Sequence, residues 1–159
     1  MKQITIAKSA GFCFGVDRAV RMTYEALEQY PHVATLGPII HNQTVVDDLC
    51  QKGARIVEDV SELTPEECIV IRSHGVSKQV EDAIAAAGNP CINETCPFVS
   101  KIHKIVEKHT LAGDYILIAG DKNHPEVQAI VGHCGENCTV FADSAALDHF
   151  FKTNYENLK

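Results

Sequence analysis

"CIVIRSHGVSKQVEDAIAAAG", residues 68–88, decides the fold. Its opening CIVI is a continuous apolar run rich in Ile and Val, the pattern of a strand buried on both faces. A short loop with His74 and Gly75 follows. Ser77 then stands where a helix N-cap is wanted, ahead of an apolar-periodic stretch closed by Gly88. A strand, a short loop and a helix in that order make half of a parallel βαβ unit.

The same alternation continues outward in both directions. Strand-like runs recur at KQITIAK (2–8), HVATLG (32–37), YILIAG (115–120) and TVFAD (139–143), with ARIV and PCINE as shorter candidates. Helical patterns lie between them at 16–30, 42–52, 97–113 and 124–135, and AALDHFF is helix-like near the end. Gly53, Gly88 and Gly113 follow helical patterns where a left-handed cap is wanted, and Pro97 and Pro125 suit first-turn positions. The reading is α/β with parallel sheets, in two similar sheet-helix units. The first spans 14–96 and the second 97–159, with the break near ETCPFV. Residues 1–13 form an N-terminal strand and a cysteine loop outside both units. The polar close KTNYENLK does not read as a finished domain.

A chain of 159 residues, 45% hydrophobic, can bury a core. Its formal charge of -7, with no Lys/Arg block, argues against nucleic acid. The N-terminus carries no long apolar run, so the expectation is a cytoplasmic protein without a membrane segment. Seven cysteines, an odd number, in a reducing compartment argue against a disulfide framework and raise the prior of metal, cluster or catalytic roles.

Three segments repeat one plan: TLGPIIHNQ, IVIRSHGVS and LIAGDKNHPEV each run from a strand into a loop histidine and a helix start. His41, His74 and His124 are thereby placed at strand carboxyl ends, the edge where open parallel sheets bind ligands. Free N–H groups of helix starts at that edge suit a phosphate-bearing ligand. Cys13 and Cys96 also lie in loops that open helices, where a thiolate is stabilised by the helix dipole as a soft metal ligand. A single loop histidine is usually just solvated, and a single cysteine usually a small buried hydrophobe.

The motifs GFCFGVDRAV, GPIIHN, RSHGV, ETCPFV and NHPEV, in this order, resemble 4-hydroxy-3-methylbut-2-enyl diphosphate reductase. The resemblance runs to about residue 140 but covers only the first half, or slightly more, of a typical member. It implies a cytoplasmic oxidoreductase of the non-mevalonate isoprenoid pathway. Such an enzyme removes an allylic hydroxyl with two electrons and two protons, giving isopentenyl diphosphate and dimethylallyl diphosphate. It also implies three similar α/β domains around a central 4Fe-4S cluster, each giving one cysteine, with ferredoxin or flavodoxin as electron donor. Carried over by motif, Cys13 and Cys96 are cluster ligands, His41 and His74 contact the diphosphate, and His124 contacts the substrate near its hydroxyl. Glu126 is the proton donor. The third cysteine is expected beyond Lys159, so a stable cluster is not expected in this chain alone. The strand at 2–8, which in the family packs with the third domain, is expected to be displaced, flexible or paired with another copy.

Two other readings stay open. One is a non-catalytic module in which the histidine-bearing helix starts bind a diphosphate without a cluster. The other is a zinc-stabilised domain using His133, Cys134 and Cys138, which lacks a fourth ligand. Cys50 and Cys68 fall within helix and strand patterns and read as core. Cys91, five residues before Cys96, has no counterpart in the family motifs.

Overall fold

Every side chain of β1 (Val33–Leu36) and β3 (Cys68–Ile71) is buried, as continuous apolar runs require. The two pair in parallel from Val33 opposite Cys68 to Leu36 opposite Ile71. β2 (Ala54–Val57) flanks β1 and β4 (Cys91–Asn93) flanks β3, giving a parallel sheet of order β2-β1-β3-β4. The structure, a computed structural model, describes residues 3–154.

Helices cover both faces of this sheet because side chains alternate along each strand. On one face Val33 and Val70 pack with Ala19 and Ala26 of α1 (Phe14–Gln29) and Leu49 of α2 (Gln43–Gln51). On the other, Ala34, Leu36, Ile69 and Ile71 pack with Ile84 of α3 (Lys78–Ala87). The helix ends have local causes. Asn42 Oδ1 accepts a hydrogen bond from the Val45 amide, Ser77 Oγ accepts one from the Val80 amide, and Gly88 takes the left-handed conformation (φ 76°) that ends α3.

The second sheet pairs β5 (Ile116–Ala119) with β6 (Cys138–Phe141), again in parallel. Only one face carries a core: Ile116 and Ile118 pack with Val106 of α4 (Pro97–Leu111) and Ile130 of α5 (Pro125–Val131). Pro97 and Pro125 occupy first-turn positions, where the missing N–H costs nothing. α6 (Ser144–Asn154) buries no side chain. It takes in the start of the polar close, whose last residues, 155–159, lie outside the described residues. His133, after α5, joins the two sheets. Its Nε2 donates to the Val76 carbonyl (2.9 Å) and its Nδ1 lies 2.6 Å from Glu107.

Two expectations are corrected. Within the described part of 2–8 no strand forms, and Ile4 and Ile6 are 89% and 80% exposed. The alternating pattern is right for a strand, but a strand needs a ladder partner, and this segment pairs with neither sheet. Cys50 is exposed rather than core. α2 buries Val46 and Leu49, and Cys50, about 40° round from Val46 and about 100° from Leu49, falls at the margin of that face in the last turn of the helix. Cys68 is fully buried, as read. Among the described residues no helix is long and apolar enough to cross a membrane.

Candidate functional site

Parallel ladders bring the carboxyl ends of β1 and β3 to one edge, and the loop after β5 faces the same place. The three loop histidines meet there. Ring centroids lie 4.7 Å apart for His41 and His74, 5.9 Å for His41 and His124, and 5.7 Å for His74 and His124. His41 and His124 are exposed and His74 is half-buried. A cleft of about 220 Å³ opens beside His41 and His74, bounded by Asn42, Ser73 and the apolar Phe12, Val16 and Ile40. Phe12, which lines this cleft, is next in sequence to Cys13.

The electrostatics of the cleft favour an anion. Burial, followed by the neighbouring His41, Arg72 and His124, pushes the His74 imidazole down to about 4. The ring is therefore neutral near pH 7 and surrounded by groups that disfavour its charging, a repulsion that an anionic ligand removes. His74 Nδ1 is buried with no hydrogen-bond partner. The Arg72 guanidinium sits just behind, half-buried, with Nε likewise unpartnered. A side chain at Gly37 would run into it.

His124 is the N-cap of α5, and its Nδ1 accepts from the Glu126 amide at 3.2 Å. That bond assigns the tautomer: with Nδ1 an acceptor, the neutral ring carries its proton on Nε2 and presents a donor there. The same contact ties Glu126, half-buried in the first turn of α5, to the His124 ring.

Cys13 and Cys96 are the N-caps of α1 and α4, and neither thiol makes a capping hydrogen bond. Both sulfurs are uncommitted, and each stands at the positive end of a helix of fifteen residues or more. The Cys96 sulfur lies against α1, where a Cβ added at Gly15 would come within 2.6 Å of it. These features suit two ligands of an iron-sulfur cluster. Among the described residues no group of three or more His, Cys, Asp or Glu is arranged to hold a metal.

The zinc reading fails on geometry. Both ring nitrogens of His133 are occupied, and Cys134 is fully buried with its thiol donating to the Ile130 carbonyl at 3.2 Å. Burial pushes that thiol up to about 11, away from the thiolate that zinc needs. Cys91 is exposed on the edge strand β4 and belongs to no metal-holding group.

Sequence reasoning missed two site residues. Arg72 was legible in principle, since a cation beside a histidine at a strand end is the usual furniture of an anion site. Glu94 was not: it is fully buried, with Arg18 Nη1 2.8 Å from Oε2, and nothing in the sequence pairs those positions.

The LytB protein family matches residues 4–158 of the chain. Among curated relatives, the 4-hydroxy-3-methylbut-2-enyl diphosphate reductase of Thermoanaerobacter sp. (strain X514) is 44% identical over 142 residues, covering 87% of this chain and 49% of the relative. The Campylobacter hominis protein of the same name is 39% identical over 153 residues, covering 96% of this chain and 54% of its own. Among solved structures, the E-1-hydroxy-2-methyl-but-2-enyl-4-diphosphate reductase from Plasmodium falciparum superposes with a TM-score of 0.82 at 27% identity, covering 89% of this chain and 45% of that one. A structure of (E)-4-hydroxy-3-methyl-but-2-enyl diphosphate reductase, described as the terminal enzyme of the non-mevalonate pathway, gives 0.75 at 34% identity, with coverage of 98% and 63%. The chain spans about half the length of these curated relatives.

Proposed function

The chain belongs to the LytB protein family, and on that premise we propose that it supplies the diphosphate cleft and two thiolates of a 4-hydroxy-3-methylbut-2-enyl diphosphate reductase. The observation that carries this reading is the convergence of His41, His74 and His124 at one edge, with a cleft beside His41 and His74 that Phe12, the neighbour of Cys13, also lines.

His41 and His74 bind the diphosphate, and the positive field of Arg72 behind them adds to the attraction. His124 donates from Nε2 to the substrate near its hydroxyl, and Glu126 protonates that hydroxyl as it leaves as water. The remainder of a longer protein completes the ligand set. A 4Fe-4S cluster, held here by Cys13 and Cys96, would supply the electrons and a Lewis-acidic iron. Overall, two electrons and two protons convert the allylic alcohol to isopentenyl or dimethylallyl diphosphate plus water. The electrons come from ferredoxin or flavodoxin in the cytoplasm. Without the remainder, the exposed Ile4–Ile6 segment is a site of self-association. This N-terminal segment packs with a third domain in the whole enzyme.

A diphosphate-binding module without a cluster is the second reading. Anaerobic reconstitution followed by iron and sulfide assay separates the two. The enzyme reading expects no cluster retained by this chain alone and about four irons when the missing half of the relatives is joined to it. No cluster in either form would leave the module reading. In the joined protein, Glu126→Gln should leave substrate binding intact while slowing turnover by roughly a hundredfold to ten-thousandfold; near-normal turnover would remove Glu126 from the mechanism.

A further inference from the structure

α1 touches the ETCPFV loop at two points in register. Gly15 is buried beneath the Cys96 side chain: a Cβ there would meet Cys96 Sγ at 2.6 Å and Cys96 Cβ at 3.1 Å. One turn on, Arg18 Nη1 reaches Glu94 Oε2 at 2.8 Å. Positions 15 and 18 share a helix face. Glu94 and Cys96, two apart in an extended segment, share a side of the loop.

The loop backbone is fixed independently by the sheet. The Glu94 amide donates to the Ile71 carbonyl (3.1 Å) and the Cys96 amide to the Ser73 carbonyl (2.9 Å), extending the parallel pairing of β3 and β4. What remains free is the side chains, and α1 holds those. Glu94 is fully buried, and neither carboxylate oxygen has a hydrogen bond, the Arg18 contact lying off the line of one. A buried carboxylate in that state depends on its cation, because removing one partner leaves an uncompensated charge. Arg18, with 27% of its side chain exposed, is that cation.

We infer that Gly15, Arg18 and Glu94 are positioning residues: the helix capped by Cys13 fixes where the Cys96 thiol sits through a bare-backbone notch at Gly15 and the Arg18–Glu94 strut. The consequence for a cluster rests on the function proposed above. The positioning itself does not.

The experiment uses the reduced, metal-free chain, so it stands apart from whether any cluster assembles. Iodoacetamide alkylation is followed cysteine by cysteine through peptide mass spectrometry. Arg18→Met and Glu94→Gln should each raise the Cys96 rate by about tenfold, the change that follows from about 1.4 kcal/mol in a local opening equilibrium. The double variant should rise no further than either single one, and Arg18→Lys should stay near the wild-type rate. Gly15→Ala should raise the Cys96 rate with the strut intact, and it tests the notch if a Glu94 variant does not fold. In every supporting case the buried Cys68 and Cys134 stay protected. An unchanged Cys96 rate overturns the inference. So does a rise matched at Cys68 and Cys134, which would mean that the pair only holds the fold together.

Discussion

Lowering the pH from 7 to 5 should weaken this fold through two rings, His74 and His103, of which His103 can be tested apart from the cleft. His103 lies on α4, 5% exposed, stacked on His133 with ring centroids 4.1 Å apart, and its Nε2 has no hydrogen-bond partner. Gly75 leaves it room, since a Cβ there would fall 2.6 Å from His103 Cε1. Burial, then His133, pushes the ring from 6.5 down to about 4, against a smaller opposing pull from Glu107. Above pH 6.5 the ring is neutral both folded and unfolded, and it costs nothing. As the pH falls below 6.5 the unfolded chain takes up a proton that the folded chain refuses, so stability is lost until about pH 4, where the loss levels off. Between pH 7 and 5 the linkage amounts to about 2 kcal/mol. Urea unfolding followed by far-ultraviolet circular dichroism at both pH values, for the wild type and His103→Leu, measures it. The wild type should lose about 2 kcal/mol more than the variant over that interval, the share of His74 being common to both. Equal losses would refute the reasoning.

A second acid transition should appear lower. Arg55 holds Glu67 down to about 2 through a paired hydrogen bond, with further bonds from Thr64, so this contribution is complete above pH 4.5 and is lost as the pH falls towards 2. Arg55→Met should flatten the stability slope below pH 4.5 and leave the histidine interval unchanged, as read from the same urea curves. Ile4→Lys with Ile6→Lys should lower the mass of any self-associated species in sedimentation velocity without changing the circular dichroism spectrum. Undiminished association would place the contact elsewhere.

The parts of the fold legible in the sequence were those whose cause is local. CIVI and VATL read as strands because both faces are buried, and Ser77, Gly88 and Pro97 mark ends through their own backbone and side-chain chemistry. His41 and His74 were locatable because β1 and β3 pair in parallel and put their carboxyl ends on one edge, whereas His124 follows a strand of the other sheet and its approach depends on how the two sheets pack. Features that depend on a distant partner were not legible. Ile4 and Ile6 carry a strand's period, but pairing depends on an edge that sequence pattern does not reveal. Cys50 lies one turn past the buried Val46, and its exposure at the end of α2 depends on what the last turn packs against. His133 beside two cysteines has the composition of a metal site, yet it is committed to Val76 and Glu107 across two elements. Glu94 and Arg18 come from different elements, and no local signal joins them.

The most direct test of the central claim, that the three-imidazole cleft binds a diphosphate, is calorimetric titration of this chain with 4-hydroxy-3-methylbut-2-enyl diphosphate in buffers of different ionisation enthalpy. Because His74 is held neutral by burial and by its positive neighbours, an anion arriving beside it should raise its proton affinity. The account predicts saturable binding with net proton uptake at pH 7, tighter at pH 6 than at pH 8, and loss of both binding and uptake in His74→Phe. Absence of binding, or binding that His74→Phe leaves unchanged, would contradict it.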